Sequence, residues 1–337
     1  MLNQPLAFPP AIPSGYEELP NEPPFDPRRH LALEAPDQRW SLADLGYGPD
    51  VIAQAPSPLA VAGPFRILTD EGAQTLEAIA SALRKHAQQG SENQEFQSNR
   101  EVIFLAGGVY RSRFLRDLCA CPEIAAFCSA LAETPLAPHS LPSQQLYINY
   151  APERMSDDVD IWHADSIGFD YVLLASDPKT FEGGAFEFFL GTRAEAAGLL
   201  GLPEDRLNSG AAEGIPADRR VTLRFPSRGS AILQQGNLVV HRARRLEAKG
   251  QRVTLVPGLI PLESASHDAT DFARIATYGE PGIPAEIARH GAWRAAAKLG
   301  AFLERVDMDG DPESQRKALA SASADLQIAL AALGDSS

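Results

Sequence analysis

Trp162-His163-Ala164-Asp165 is the stretch on which the reading of this chain turns. A histidine and a carboxylate two residues apart share one face of a β-strand, or sit together at its end, and so point at a single ion. A second histidine, His241, would complete a set of three. Two imidazoles and one carboxylate gathered on one side of a metal leave its other positions open, a ligand set suited to Fe(II). Arg252 follows His241 by eleven residues, enough for a turn and a return along the neighbouring strand, so an anionic cosubstrate could span from metal to guanidinium. Taken singly, each residue has a plainer reading. His163 and Asp165 read as a strand-end pair bonded to backbone, His241 as a core histidine behind Leu238-Val239-Val240, and Arg252 as half of a surface ion pair.

Outward from this stretch lie short runs rich in Val, Ile, Leu, Phe and Tyr: 144–150, 169–176, 185–190, 220–225, 231–235, 238–241 and 252–260. Turn residues such as Asp177-Pro178, Gly183-Gly184 and Gly236-Asn237 separate them. Many short strands so spaced predict a sandwich or jelly roll. Between Leu190 and Arg220 an insertion with a small Ala/Leu helix has the position of a lid.

Helical spacing appears before and after the strands. Leu76, Ile79, Ala80 and Leu83 predict a helix capped by Asp70 and ending by Gly90, and a helical pair is expected over 112–134. Ile287, Trp293 and Leu299 belong to one later helix, and Leu319, Leu326, Leu330 and Leu333 to another, covering the sheet or pairing with a second copy as a homodimer. Before these, the proline-rich residues 5–64 show no sustained period and read as an extended arm anchored near Trp40. The expected organisation is an arm over 1–64, a catalytic domain over 65–262 and a helical extension over 263–337.

Composition narrows the partners. Across 337 residues, 30 Lys and Arg stand against 44 Asp and Glu, and the net charge of −14 opposes binding to nucleic acid or an anionic membrane surface. No apolar run approaches the roughly 20 residues of a membrane span, and Met1-Leu2-Asn3-Gln4-Pro5 lacks the pattern of an export signal, so a soluble, cytoplasmic protein is expected. Cys119, Cys121 and Cys128 are odd in number and clustered, which predicts reduced thiols. Asp307-Met308-Asp309-Gly310-Asp311 has its glycine misplaced for a calcium loop, and Gly107-Gly108 lacks the Lys-Ser/Thr of a phosphate loop.

The order of landmarks carries a family resemblance. Asn149-Tyr150-Ala151-Pro152, His163-Ala164-Asp165, Phe181-Glu182-Gly183-Gly184-Ala185, Arg228-Gly229-Ser230-Ala231, His241 and Gly250-Gln251-Arg252-Val253 resemble the successive motifs of the prolyl-hydroxylase-like Fe(II)/2-oxoglutarate dioxygenases, over about a third of the chain. The resemblance implies a mainly β, α+β fold: a double-stranded β-helix (jelly-roll) core with supporting helices before it and helices after it. It implies Fe(II) on His163, Asp165 and His241, and 2-oxoglutarate with its distal carboxylate on Arg252, where a planar guanidinium makes two charge-assisted bonds that lysine could not. Tyr150 resembles the tyrosine that faces the cosubstrate, with Tyr147 and Asn149 as alternates from the opposite face of that strand. Arg242 and Trp162 are candidates for substrate contact. Asp165 speaks against the halogenating relatives, which carry a small residue there. The loop 153–161 is longer than the pattern, and its Asp157, Asp158 and Asp160 read as a solvated acidic loop, with a mobile flap as the functional reading.

In such an enzyme, O2 and 2-oxoglutarate are consumed to oxidise a C–H bond, most directly by hydroxylation. The expected substrate is a small molecule such as an amino acid or a natural-product intermediate. A peptide or protein hydroxylase is the alternative within the class. From other classes come a non-catalytic jelly-roll binding protein, against which the intact triad and Arg252 argue, and a zinc hydrolase, which gives Arg252 no role.

Overall fold

The computed structural model describes residues 4–91, 101–263 and 266–334. The chain is α+β, built on a ten-stranded antiparallel sheet and a four-stranded antiparallel sheet. Between Tyr147 and Val256 the strands pass back and forth between the two. Tyr147–Tyr150, Phe169–Leu174, Ser230–Gln234 and Val253–Val256 lie in the large sheet, and Asp160–His163, Phe186–Phe189, Arg220–Leu223 and His241–Ala243 make the small one.

The period-2 alternation of strands sorts their side chains to two different cores. From Phe169–Leu174, Phe169, Tyr171 and Leu173 pack with Leu76, Leu83, Phe114 and Leu118 of the supporting helices, while Val172 and Leu174 meet Phe186 and Phe188 of the small sheet. This strand is buried along its whole length. The supporting helices are Asp70–Leu83, Arg113–Cys119 and Pro122–Ala132. The first is capped by Thr69, whose side chain accepts from the Gly72 N–H, rather than by Asp70 as expected. It ends at Leu83, and Gly90 lies instead in the strand Gln88–Ser91. All three cysteines are free and buried in this layer.

The expected boundary of the arm at residue 64 falls inside a strand. Leu59–Arg66 lies in the large sheet between Arg39–Ser41 and Ser230–Gln234. Both of its faces are covered, so it reads as a continuous apolar run, Leu59-Ala60-Val61-Ala62, and shows no period. Residues before it are packed: Phe8, Leu19 and Phe25 lie on the core, and the Tyr16 hydroxyl donates to Glu280 at 2.7 Å.

After the sheets come a short helix, Phe272–Ala276, and two long ones, Ile283–Arg305 and Pro312–Leu333, which pack on each other. Ile283 and Ile287 join Leu141 and Ile167 in a small core, but Leu319, Leu326, Leu330 and Leu333 do not cover the sheet as expected and are exposed, as is Leu303 at 76%. No helix among the described residues is long and apolar enough to cross a membrane.

The first long helix is tied to the β-core by buried charge. Asp268 accepts from His290 Nε2 at 2.6 Å and from Thr270, Arg294 lies 3.7 Å away, and the other ring nitrogen of His290 meets Ser140. Burial alone would raise the Asp268 carboxyl, but the hydrogen bond and charge of His290, with Arg294, hold it well below the ordinary carboxylate range. A depressed carboxylate contributes stability above its unfolded pKa of about 4 and loses it as pH falls. Asp268→Asn is therefore expected to cost about 3 kcal/mol at pH 7, the scale of breaking a buried pair. The difference between the thermal melts of the two proteins should hold from pH 7 down to about 4 and shrink only as pH falls below about 4.

Candidate metal and cosubstrate site

His163 closes the strand Asp160–His163 and lies opposite His241, the first residue of its own strand, with ring centroids 4.4 Å apart. Expected as the last residue of a strand over 238–241, His241 instead opens one, because Gln235 to Val239 form a turn in which the Leu238 and Val239 N–H groups return to the Gln235 carbonyl. The Nδ1 of His163 bonds the Ile161 carbonyl at 2.8 Å and that of His241 the Val239 carbonyl at 3.0 Å. With Nδ1–H donated to backbone, each ring in its neutral form presents a bare Nε2, the tautomer a metal requires.

Asp165 stands just past the strand end, its N–H donated to the Gly236 carbonyl at 3.0 Å. Its Oδ1 is 3.2 Å from His163 Nε2 and its Oδ2 3.6 Å from His241 Nε2. One ligand-type atom from each of the three residues lies within 4.8 Å of the others, as binding of a single ion requires. Gly236 makes this possible, since a Cβ there would overlap the Asp165 carboxylate. Gly236→Ala is expected to displace Asp165 and lower affinity for Fe(II) or Ni(II) at least tenfold, measured by calorimetry, with the fold retained by circular dichroism.

Electrostatics follow from burial and neighbours. Burial alone would lower the His163 imidazole, but the carboxylates of Asp160 and Asp165 push it up to about 10. For His241 burial wins, and its pKa is lowered. Burial would raise Asp165, yet His241 and His163 hold it well down. A second buried carboxyl, Asp170, is pushed well up by burial and then by the charge of Asp165. Gln234 joins the two, its Nε2 lying 3.1 Å from Asp165 Oδ2, from Asp170 Oδ1 and from His241 Nε2. Neither Asp170 nor Gln234 was picked out from the sequence. The available signal was a charged residue within an otherwise apolar buried strand, Phe169-Asp170-Tyr171-Val172.

Arg252 sits at the mouth of the strand Val253–Val256, only 1% exposed. Its Nε donates to the Gly184 carbonyl at 2.8 Å and its Nη1 to Thr254 Oγ1 at 3.4 Å, whereas the buried Nη2 has no hydrogen-bond partner among the described residues. Burial lowers its pKa to about 10, with Asp160 opposing, so it stays cationic at neutral pH. An unpaired, buried guanidinium N–H is costly unless something binds it. The Gly183-Gly184 pair does more than turn the chain: Gly184 has φ +65° and a Cβ there would lie 2.5 Å from Arg252 Cδ.

His163, Asp165, His241 and Arg252 all line one cavity of about 380 Å³. Tyr147 and Asn149 line it too, carried opposite Val256 and Thr254 on the adjoining strand. Tyr150, expected to face the cosubstrate, does not. One step along the strand it falls on the other face, buried against the supporting helices with its hydroxyl donated to the Ala80 carbonyl at 2.7 Å. Trp162 is also turned away from the cavity, packed under the insertion with Ala196, Ala197 and Leu207. Arg242 does line the cavity, but its guanidinium is held by Glu187 at 2.8 Å and Asp158 at 3.3 Å and lies over the Trp162 ring. The acidic loop is accordingly not freely solvated: Asp158 also accepts from the Arg245 N–H, and Asp157 from the Glu101 N–H.

Two further walls come from outside the β-core. The insertion contributes Asn208 and Ser209, and Arg274, Thr277 and Tyr278 come from a region expected to lie beyond the catalytic domain.

No family model matches the chain, and no curated protein matches it. Solved structures similar to it include the non-haem α-ketoglutarate-dependent epimerase SnoN from nogalamycin biosynthesis, at 18% identity over 65% of this chain and 84% of that one, with a TM-score of 0.45. The α-ketoglutarate-dependent carbocyclase SnoK from the same biosynthesis is similar at 15% identity over 72% and 92%, also at 0.45. HygX from Streptomyces hygroscopicus, with nickel, 2-oxoglutarate and hygromycin B bound, is similar at 15% identity over 63% and 85%, at 0.41. Likeness of this degree transfers no activity, and the chemistry is carried by the residues of this chain.

Proposed function

We propose that this protein is an Fe(II)/2-oxoglutarate-dependent oxygenase with a double-stranded β-helix core, acting on a small molecule such as an amino acid or a natural-product intermediate. One observation carries the reading: a two-histidine, one-carboxylate cluster shares a cavity with a buried arginine whose Nη2 lacks a partner among the described residues. His163, Asp165 and His241 would hold the metal, and Arg252 would hold the distal carboxylate of 2-oxoglutarate, with Thr254, Tyr147 and Asn149 beside it. When bound, Fe(II) with 2-oxoglutarate and O2 supplies the oxidising power for C–H hydroxylation, 2-oxoglutarate leaving as succinate and carbon dioxide. The strands that alternate between two facing sheets support the β-helix reading.

The chain's own residues do the rest. Backbone carbonyls fix both imidazole tautomers, Gln234 and Asp170 brace Asp165, and the insertion and the 271–278 segment add polar side chains to the cavity lining. A cavity of about 380 Å³ suits a small molecule better than a peptide, which needs a long groove. The free thiols suit a reducing compartment such as the cytoplasm. The test is succinate release from 2-oxoglutarate and Fe(II) in air against parallel panels of metabolites and peptides. Stimulation by a metabolite is expected, and turnover on peptides alone would overturn the substrate class.

A further inference from the structure

We propose that the last helix, Pro312–Leu333, docks against its counterpart in a second copy of this chain, antiparallel and across a two-fold axis near Leu326. The inference is independent of the metal and cosubstrate reading given above, and exposed apolar surface carries it.

Large apolar side chains left exposed among the described residues gather in one place: apart from Val51 and Leu199, all of them belong to the two long helices or the turn between them. Proteins ordinarily expose such residues singly, and a concentration marks a surface that is covered in use. On the last helix they form a seam. Leu319, Ser323, Leu326, Leu330 and Leu333 follow one another at steps of 4, 3, 4 and 3, the a and d positions of a coiled coil, and all five are exposed. The helix meets its own chain along a different stripe. Ala322, Asp325 and Ala329 are buried there, Asp325 is paired with Lys298 at 2.7 Å, and Gly291 of the neighbouring helix leaves no room for a Cβ beside the Asp325 carbonyl and Ala329. Small side chains thus face the protein while the leucines stay in solvent, the reverse of a helix whose packing is completed within one chain.

Charge and symmetry select the occupant. Over residues 318–333 the only charged side chain is Asp325, which is buried. The chain as a whole carries −14, so two copies repel over most of their surfaces, and an uncharged face is where they can meet. The seam is also self-complementary in one direction. Leu319 and Leu333 are equidistant from Leu326, so antiparallel pairing sets Leu319 against Leu333 of the second copy, Leu326 against itself, and Ser323 near Leu330. It lays Arg316 and Lys317, just before Leu319, beside the C-terminal end of the other helix, where the helix dipole is negative. Parallel pairing would instead bring these two cations against their own counterparts. Two-fold contact of this isologous kind is the commonest form of self-association. Two helices in contact over about 25 Å bury on the order of 1,000 Å², the low end for a specific interface, so the dimer is a reversible one.

The experiment is sedimentation velocity on the full chain from about 1 to 100 μM, at low and at moderate salt. Wild type is expected to pass from monomer to dimer within that range, and to do so at lower concentration in moderate salt, which screens the net repulsion. Leu326→Glu combined with Leu330→Glu should weaken the dimer by about a hundredfold or more, while the circular dichroism melt stays near that of wild type because both sites are exposed. Cysteine substitution reads the orientation separately, the three native thiols being buried. Leu326→Cys should give a disulfide-linked dimer on mild oxidation, Leu319→Cys alone should not, and a mixture of Leu319→Cys with Leu333→Cys should. A wild type that stays monomeric throughout, a dimer that survives the double substitution, or linkage of Leu319→Cys to itself as readily as Leu326→Cys overturns the proposal. Flotation of a monomeric wild type with neutral phosphatidylcholine vesicles, lost in the double variant, would also overturn it and assign the face to a lipid surface.

Discussion

Alanine in place of His163 is expected to weaken Fe(II) binding by roughly a hundredfold and to remove 2-oxoglutarate turnover at ordinary iron concentrations. Protein metal sites of this kind gain on the order of 10 kcal/mol from their whole ligand set, so the loss of one ligand in three costs about 3 kcal/mol. His241→Ala and Asp165→Ala should behave alike, because the three ligand atoms lie within 4.8 Å of each other and none has a nearby substitute of equal reach. Asp160 comes nearest, with Oδ2 3.8 Å from His163 Nε2. Calorimetric titration with Fe(II) under argon reads the effect directly, and undiminished affinity in all three variants would remove the triad from the account.

Arg252→Gln is expected to raise the dissociation constant for 2-oxoglutarate by about 30- to 5,000-fold while leaving metal affinity unchanged. The range corresponds to the 2–5 kcal/mol lost when one partner of a buried, hydrogen-bonded charge pair is truncated. Arg252 is rigidly placed: Gly184 accepts from its Nε, Thr254 from its Nη1, and only Nη2 is left to a ligand. Glutamine keeps a polar group but not the fork or the charge. Fluorescence or calorimetric titration of the Zn(II)-loaded variant with 2-oxoglutarate separates this from a metal defect. Affinity equal to that of wild type would assign Arg252 a purely structural role.

How far these residues could be read from sequence depended on how local their geometry is. His163 and Asp165 sit two apart at one strand end, but His241 and Arg252 lie at strands of different sheets and not on neighbouring strands as expected, so it was the order of the landmarks, and not spacing alone, that reached them. Tyr150 shows the limit: on a strand a one-residue step inverts the face, and the tyrosine chosen points at Ala80, whereas Tyr147 and Asn149 point at the cavity. The strand Leu59–Arg66 escaped notice because burial on both sides erases the alternation by which strands are recognised. Asp170, Gln234 and the segment carrying Thr277 and Tyr278 reach the site only through tertiary contacts between distant segments, which no local pattern encodes. The exposed leucines of the last helix follow helical spacing faithfully, yet spacing does not say whether a stripe meets a core.

The central claim is that the triad and Arg252 together form one site for metal and keto acid. Anaerobic addition of Fe(II) and 2-oxoglutarate, followed by visible absorption, tests it most directly. The account predicts a charge-transfer band that needs both additions, disappears in His163→Ala, and in Arg252→Gln returns only at much higher 2-oxoglutarate. A wild-type protein that binds Fe(II) without any such band, or shows the same band in both variants, would contradict it.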